Sequence, residues 1–205
     1  MFKKAFSLLE TIFLIVVVGI LAVTVIPRME RDHLHEMATQ VIAHLRYAQH
    51  RAMIDHAYKD TDPNWYQGRW QINFINTAKC GLLYRVGADR DVSSGTGDFE
   101  SNEAAIDPMT GERLYNMAPV CEEHPGWYSG VLIGEKFNIE KMETTCQTQT
   151  IAFDRLGRPY KGFAGGRASA SLLKDDCNLT FIDRHKNKVR ITITPETGYA
   201  YITYL

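Results

Sequence analysis

The apolar residues of this chain are concentrated near its N-terminus. Within residues 6–26, a run of 21, only Ser7, Glu10, Thr11 and Thr24 carry polar side chains. A helix of that length, at about 1.5 Å per residue, reaches about 31 Å, which matches the hydrocarbon thickness of a bilayer. The pattern therefore predicts a membrane-spanning helix.

The flanks of this segment indicate its orientation and its type. Lys3 and Lys4 precede it, and basic flanks stay in the cytoplasm, so the chain beyond Pro27 is predicted to lie outside. A cleaved secretory signal has a shorter apolar core and a small-residue cleavage site after it, whereas charged residues follow here. A plain signal anchor and an anchor trimmed on its cytoplasmic side remain open.

A second periodic pattern follows the apolar segment. From residue 28 to about residue 59 there is no Gly or Pro, and apolar side chains recur every three or four positions, at Leu34, Met37, Val41, Leu45, Ala48 and Ala52. This is the pattern of an amphipathic helix that packs on a sheet. We expect one rod of about fifty residues, bent at Pro27, whose outer half lies on a globular head.

Strand-like runs occupy the remainder of the chain. They are predicted at residues 69–76, 81–86, 130–133, 150–153, 179–182, 189–194 and 199–204. Pro195 and Gly198 indicate the turn of a terminal hairpin. The predicted fold class is α+β, a long N-terminal helix packed on antiparallel strands.

Composition and charge narrow the range of functions. The 205 residues are 45% hydrophobic, which is enough for one domain with a real core. The chain has 23 basic and 24 acidic residues, so its net charge of −1 provides no overall attraction to nucleic acid. The sequence also lacks the common nucleophile-elbow, phosphate-loop and metalloprotease motifs, and we expect no enzymatic activity and no cofactor.

Glu10 is the unusual residue of the apolar segment. A charged side chain deep in a membrane costs about 2.5 to 3.5 kcal/mol, and such residues generally have a function. Glu10 lies about 6 Å along the helix from Phe6, close enough for its carboxylate to reach the headgroup region. If such helices bundled together, the carboxylate would be buried and would need a partner.

The run from Lys3 to Glu10 resembles the processing motif of type IV prepilins and type II secretion pseudopilins. This resemblance implies that a prepilin peptidase cuts between Ala5 and Phe6 and that the new amine of Phe6 is methylated. Ala5 departs from the Gly that is commoner before the cut. Gly19 and Pro27 also match the family pattern, as positions that contribute to assembly.

The resemblance divides the chain and implies its location and partners. Residues 1–5 would be a cleaved leader, 6–27 a transmembrane and polymerisation helix, 28–59 an amphipathic helix on the head, and 60–205 a periplasmic β-rich head. The protein would span the bacterial inner membrane once and then enter a filament. Its partners would be other pilin or pseudopilin subunits, the prepilin peptidase and methyltransferase, and the inner-membrane assembly platform.

A weaker resemblance concerns the head. Residues 151–159, 179–183 and 189–201 look like parts of the minor pseudopilin H and FimT-like subunits. It implies a minor subunit of a type II secretion pseudopilus or a type IV pilus. The resemblance also implies an alternative, a minor pilin that binds DNA for uptake through a basic hairpin tip. The tip would be formed by Arg184, Lys186, Lys188 and Arg190. A solvated turn would explain the same residues without any binding to DNA.

The four cysteines, Cys80, Cys121, Cys146 and Cys177, all lie on the predicted outer side of the membrane. In an oxidising compartment we expect two disulfides, with three connectivities open. No two cysteines have the C-x-x-C spacing that a zinc site or a thiol oxidoreductase would favour.

A metal site has only weak support in the sequence. Asp89, Asp91, Ser93 and Glu100 follow part of a calcium-loop pattern, but Ser94 stands where such a loop needs Gly. A solvated acidic loop is the simpler interpretation. Histidines along the helix region are never three or four residues apart, so no helical metal pair is expected.

Overall fold

The computed structural model describes residues 8–55, 65, 68–90, 99–117, 121, 124–162 and 171–205, with the backbone alone for residues 22–32. The fold is α+β. A long helix, α1 (Leu8–Ile54), precedes two antiparallel sheets. A short helix, α2 (Ile133–Lys136), and 3₁₀ turns at Ser101–Glu103 and Ser129–Val131 connect parts of the sheets.

Nine strands form the two sheets in the described residues. The first sheet has the order β2-β1-β4-β5-β6, with β1 (Trp70–Thr77), β2 (Gly81–Ala88), β4 (Thr150–Phe153), β5 (Pro159–Lys161) and β6 (Ser171–Leu172). The second has the order β3-β7-β8-β9, with β3 (Ile139–Thr144), β7 (Cys177–Asp183), β8 (Lys188–Ile193) and β9 (Ala200–Tyr204). Every paired strand in these sheets is antiparallel.

One core joins the C-terminal half of α1 to both sheets. The predicted apolar face of α1 is buried from Leu34 to Ala52, and it lies against β1 and β4 of one sheet and β8 and β9 of the other. Phe74 of β1 and Phe181 of β7 bring the sheets together, with ring centroids 5.6 Å apart. The expected packing of an amphipathic helix on a sheet is therefore confirmed.

The long helix is confirmed, but its C-terminal end differs from the prediction. Helical backbone continues through position 27, and the bend expected at Pro27 stays a prediction. The helix ends at Ile54, earlier than the expected residue 59. The next residue, Asp55, accepts a hydrogen bond from the indole Nε1 of Trp70 at 2.6 Å.

The strand predictions succeeded where alternation was strong. β4 has the predicted bounds, and β1, β2, β7, β8 and β9 overlap their predicted runs. The strand expected at residues 130–133 is wrong, because this buried run forms a 3₁₀ turn and the start of α2. A short apolar run fits a buried helical turn as well as a strand.

Three strands were not predicted. β3 is an edge strand whose exposed side chains are mostly charged, so its pattern lacks a clear apolar face. β5 and β6 have only three and two residues, too few for any periodicity to be recognised.

The membrane-spanning role of α1 remains a prediction. Among the helices of the described residues, none combines the length and the apolar character that are needed to cross a bilayer.

Candidate functional site

The N-terminal part of α1 is an apolar rod that the head does not cover. Every residue from 8 to 21 is exposed, including Leu8 at 80%, Phe13 at 70% and Ile15 at 64% of its surface. Farther along the same helix, Met37 and Val41 are completely buried. A helix that is apolar on all sides is stable only when lipid or other protein surrounds it.

Glu10 is the only charged residue of this exposed rod, residues 8–21. It lies in the first turn of α1 as described, with its side chain exposed. A Cβ at Gly19 would have no atom within 4 Å, so the head does not require glycine there. The predicted cleavage site, Ala5 and Phe6, lies outside the described residues, and of Pro27 only the backbone is described.

The predicted basic patch lies at the hairpin between β7 and β8. Asp183 builds the turn: its Oδ1 accepts hydrogen bonds from the backbone N–H groups of His185 and Asn187, both at 2.8 Å. Arg184, Lys186 and Lys188 are exposed, whereas Arg190 is half-buried in β8. The tip therefore presents three of the four predicted cations.

Acidic residues of the neighbouring edge strand offset this positive charge. Lys186 forms an ion pair with Glu140 of β3, and this hydrogen bond and charge lower the pKa of the Glu140 carboxyl. Lys141 and Glu143 pair at 2.7 Å on the same strand, and Lys188 also lowers the pKa of Glu143. With two carboxylates interleaved, the tip is a mixed-charge surface, which weakens its attraction for a phosphate backbone.

The four cysteines form two disulfides, in agreement with the expectation. Cys80, in the turn after β1, is bonded to Cys121, and Cys146, just after β3, is bonded to Cys177 at the start of β7. The structure thus selects one of the three connectivities that the sequence left open.

The calcium-loop pattern gains no support from the described residues. Asp89 is buried and Glu100 is exposed, while Asp91 and Ser93 lie outside the described part of the chain. The carboxylate of Glu103 accepts hydrogen bonds from the backbone N–H groups of Arg90 and Glu100, at 2.7 and 3.0 Å. In the ranges that the structure describes, no three His, Cys, Asp or Glu side chains are arranged to hold a metal ion.

A buried polar cluster connects α1 to the head and was not predicted. His44 Nδ1 lies 2.7 Å from the Tyr84 hydroxyl, and its Nε2 lies 3.8 Å from Asp107. Gln40 donates to Tyr84 and accepts from Tyr128, at 2.7 and 3.1 Å. The available signal was the position of His44, which falls between Val41 and Leu45 on the apolar face of the helix.

A cleft at the C-terminal end of α1 was also missed. It has a volume of about 660 Å³ and lies between the helix end, the start of β1 and the turn that joins β4 to β5. Arginine and aromatic side chains dominate its walls. The lining residues come from three separate segments of the chain, and no spacing between these segments could have indicated a site.

Comparison of the chain with known proteins found no matching family profile, no matching curated protein and no matching solved structure.

Proposed function

We propose that this protein is a minor pseudopilin or pilin, cut between Ala5 and Phe6 and assembled into a type II secretion pseudopilus or a type IV pilus through α1. The observation that carries the proposal is the exposed apolar rod, residues 8–21, on a helix whose other half is buried in the head. Such a subunit would be stored in the membrane and then transferred to a helical filament core. Both environments cover the rod.

The storage step is supported by the sequence of the apolar segment. Residues 6–26 are long enough to cross a bilayer as a helix, and the basic residues before them favour a cytoplasmic N-terminus. The two disulfides of the head suit an oxidising compartment such as the periplasm.

The assembly step is supported by the position of Glu10. In a bundle of apolar helices the carboxylate of Glu10 would be removed from water and would require a cation. Cleavage before Phe6 would create one, the α-amine at the N-terminus of a neighbouring subunit. The carboxylate of Glu10 can reach this amine at only one axial offset between two helices. The ion pair would therefore fix the axial rise from one subunit to the next.

Replacement of Glu10 tests this proposal. We expect Glu10→Leu to insert and to be cleaved normally but to reduce incorporation into filaments at least about tenfold, because the amine of the adjoining subunit would be buried without a partner. The measurement is the amount of tagged subunit recovered with sheared or cross-linked filaments from the native host. Thr11→Val is the matched control, since it changes the adjacent polar residue without removing a charge, and it should assemble normally.

Intact-mass measurement of the membrane-extracted protein provides the second readout. The expected mature chain lacks residues 1–5 and carries one additional methyl group. A chain that retains Met1, or normal assembly of Glu10→Leu, would contradict the proposed role of Glu10.

A further inference from the structure

The cleft at the end of α1 has the size and the composition of a binding site. Its volume of about 660 Å³ falls within the usual range for ligand pockets, about 300 to 1,000 Å³. Trp70 and Phe153 form a buried apolar floor, and Met53 and Leu156 form an apolar rim. Met53 is 48% and Leu156 73% exposed, so the rim is open to a partner.

Guanidinium groups are stacked on the aromatic rings of this cleft. The guanidinium carbon of Arg69 lies 4.0 Å from the Tyr160 ring centroid, and that of Arg155 lies 4.5 Å from the Trp65 centroid. Arg51 lies 4.8 Å from the Trp70 centroid. Stacking holds the flat face of a guanidinium and leaves its N–H edge available for a carboxylate or a phosphate.

Among the described residues, the charges of the cleft are unbalanced. Two carboxylates line the cleft, and each already has a partner: Asp55 pairs with Arg90 at 2.5 Å, and Asp154 pairs with Arg158 at 2.8 Å. Arg155, which lines the cleft, has no acidic partner within the described ranges.

The arrangement favours a carboxylate joined to an apolar group. Single-stranded nucleic acid would stack its bases on aromatic side chains, but guanidinium groups already cover a face of Trp65, Trp70 and Tyr160. The apolar rim also offers nothing to a sugar–phosphate backbone. A carboxylate can bind the guanidinium edges while an adjacent apolar side chain packs on Met53 and Leu156.

We propose that this cleft binds an acidic peptide segment of a partner protein, with an Asp or Glu side chain directed at Arg155 and a neighbouring apolar side chain on the rim formed by Met53 and Leu156. The site lies on the head and does not depend on the proposed role of the helix in a filament.

The test uses the full-length chain in detergent and the indole N–H signals of its tryptophans in NMR spectra. The chain has 3 tryptophans; Trp65 and Trp70 line the cleft, while Trp127 packs elsewhere, against Tyr115. The probes are end-capped hexapeptides with a central Glu-Leu, Glu-Phe or Asp-Phe pair, together with their Gln or Asn counterparts. We expect at least one acidic peptide to shift the Trp65 and Trp70 signals and leave that of Trp127 in place, and we expect its amide counterpart to bind about tenfold more weakly.

Two variants complete the test. Arg155 is exposed, so Arg155→Gln should fold normally and should weaken binding about tenfold, whereas Lys174→Gln removes the same charge from an exposed site outside the cleft and should bind as the wild type does. The proposal is overturned if no acidic peptide shifts the two signals up to about 5 mM, a concentration that corresponds to negligible affinity. It is also overturned if Arg155→Gln binds normally, or if a short single-stranded oligothymidylate binds the cleft more tightly than the peptides.

Discussion

His44 illustrates how a single position on a helix can link the helix to the head. Its side chain is buried on the sheet-facing side of α1, where Tyr84, Tyr128 and Asp107 surround it. Burial lowers the pKa of His44 below its ordinary value of 6.5, and the nearby Asp107 opposes this shift only in part. The imidazole is therefore held neutral near pH 7.

This environment predicts how stability depends on pH. The unfolded chain binds a proton at His44 more readily than the folded chain does. The contribution of the neutral, buried imidazole to the free energy of unfolding is therefore complete above the ordinary pKa and is lost as the pH falls below about 6.5. Replacing His44 by Gln should reduce the slope of the unfolding free energy with pH by up to about 1.4 kcal/mol per unit. Chemical denaturation at several pH values between 5 and 8 measures the slope.

His50→Gln is the control for this experiment, because His50 is an exposed histidine on the same helix. This substitution removes a histidine without altering the contacts of His44. An unchanged slope in His44→Gln would show that protonation of His44 does not contribute to acid destabilisation.

At the scale of elements, side chains of α1 attach the helix to two turns of different sheets. Gln49 Nε2 donates to the carbonyl oxygens of Gly157 and Thr197, both at 2.8 Å. Gly198 has a φ of +64°, and a Cβ there would lie 2.7 Å from the Gly157 carbonyl oxygen. The turns that follow β4 and β8 can approach each other this closely only because position 198 is glycine.

Removal of the Gln49 amide should loosen this attachment. We expect Gln49→Leu to lower the free energy of unfolding by about 1 to 3 kcal/mol, since two carbonyl oxygens lose their donor. His50→Leu, at the adjacent exposed position, should change it by less than about 0.5 kcal/mol. Equal stability of the two variants in urea titrations would contradict a structural role for Gln49.

At the scale of the whole molecule, the disulfides close loops in the head. Cys80–Cys121 spans 41 residues and belongs to a small apolar cluster with Leu83 and Leu132. Cys146–Cys177 spans 31 residues and is part of the main core. Each bond therefore joins two distant points of the chain and restricts the conformations that the unfolded chain can adopt.

We expect the paired substitution Cys80→Ala with Cys121→Ala to lower the unfolding free energy by about 2 to 4 kcal/mol, because the unfolded chain gains the freedom of an open loop. Thermal and chemical unfolding of the oxidised proteins measure the loss. Comparison of the wild type and the paired variant under reducing conditions, where neither contains this bond, controls for the change of side chain. A paired variant as stable as the wild type would show that the bond does not restrict the unfolded ensemble.

Much of the architecture follows from local patterns in the sequence. Apolar spacing of three and four along residues 34–52 predicted the buried face of α1, and alternation at Val189, Ile191 and Ile193 predicted the core face of β8. Thr192 lies between two of these core residues, so simple alternation would place it outward, but it is buried and donates to Asn178 at 2.8 Å. A polar residue with a partner across the sheet can occupy a covered position that its type alone does not indicate.

By itself, the sequence determined the long helix, its exposed apolar rod, the position of Glu10 and most strands, because these depend on the order of neighbouring residues. The cysteine pairing, the acidic residues that offset the basic hairpin tip and the arginine cleft were decided only by the tertiary structure. Arg69 and Arg155 lie in separate parts of the chain, and nothing in their spacing indicates that both line one cleft. Contacts between distant segments are set by the packing of helix and sheets, since that packing fixes which loops face one another.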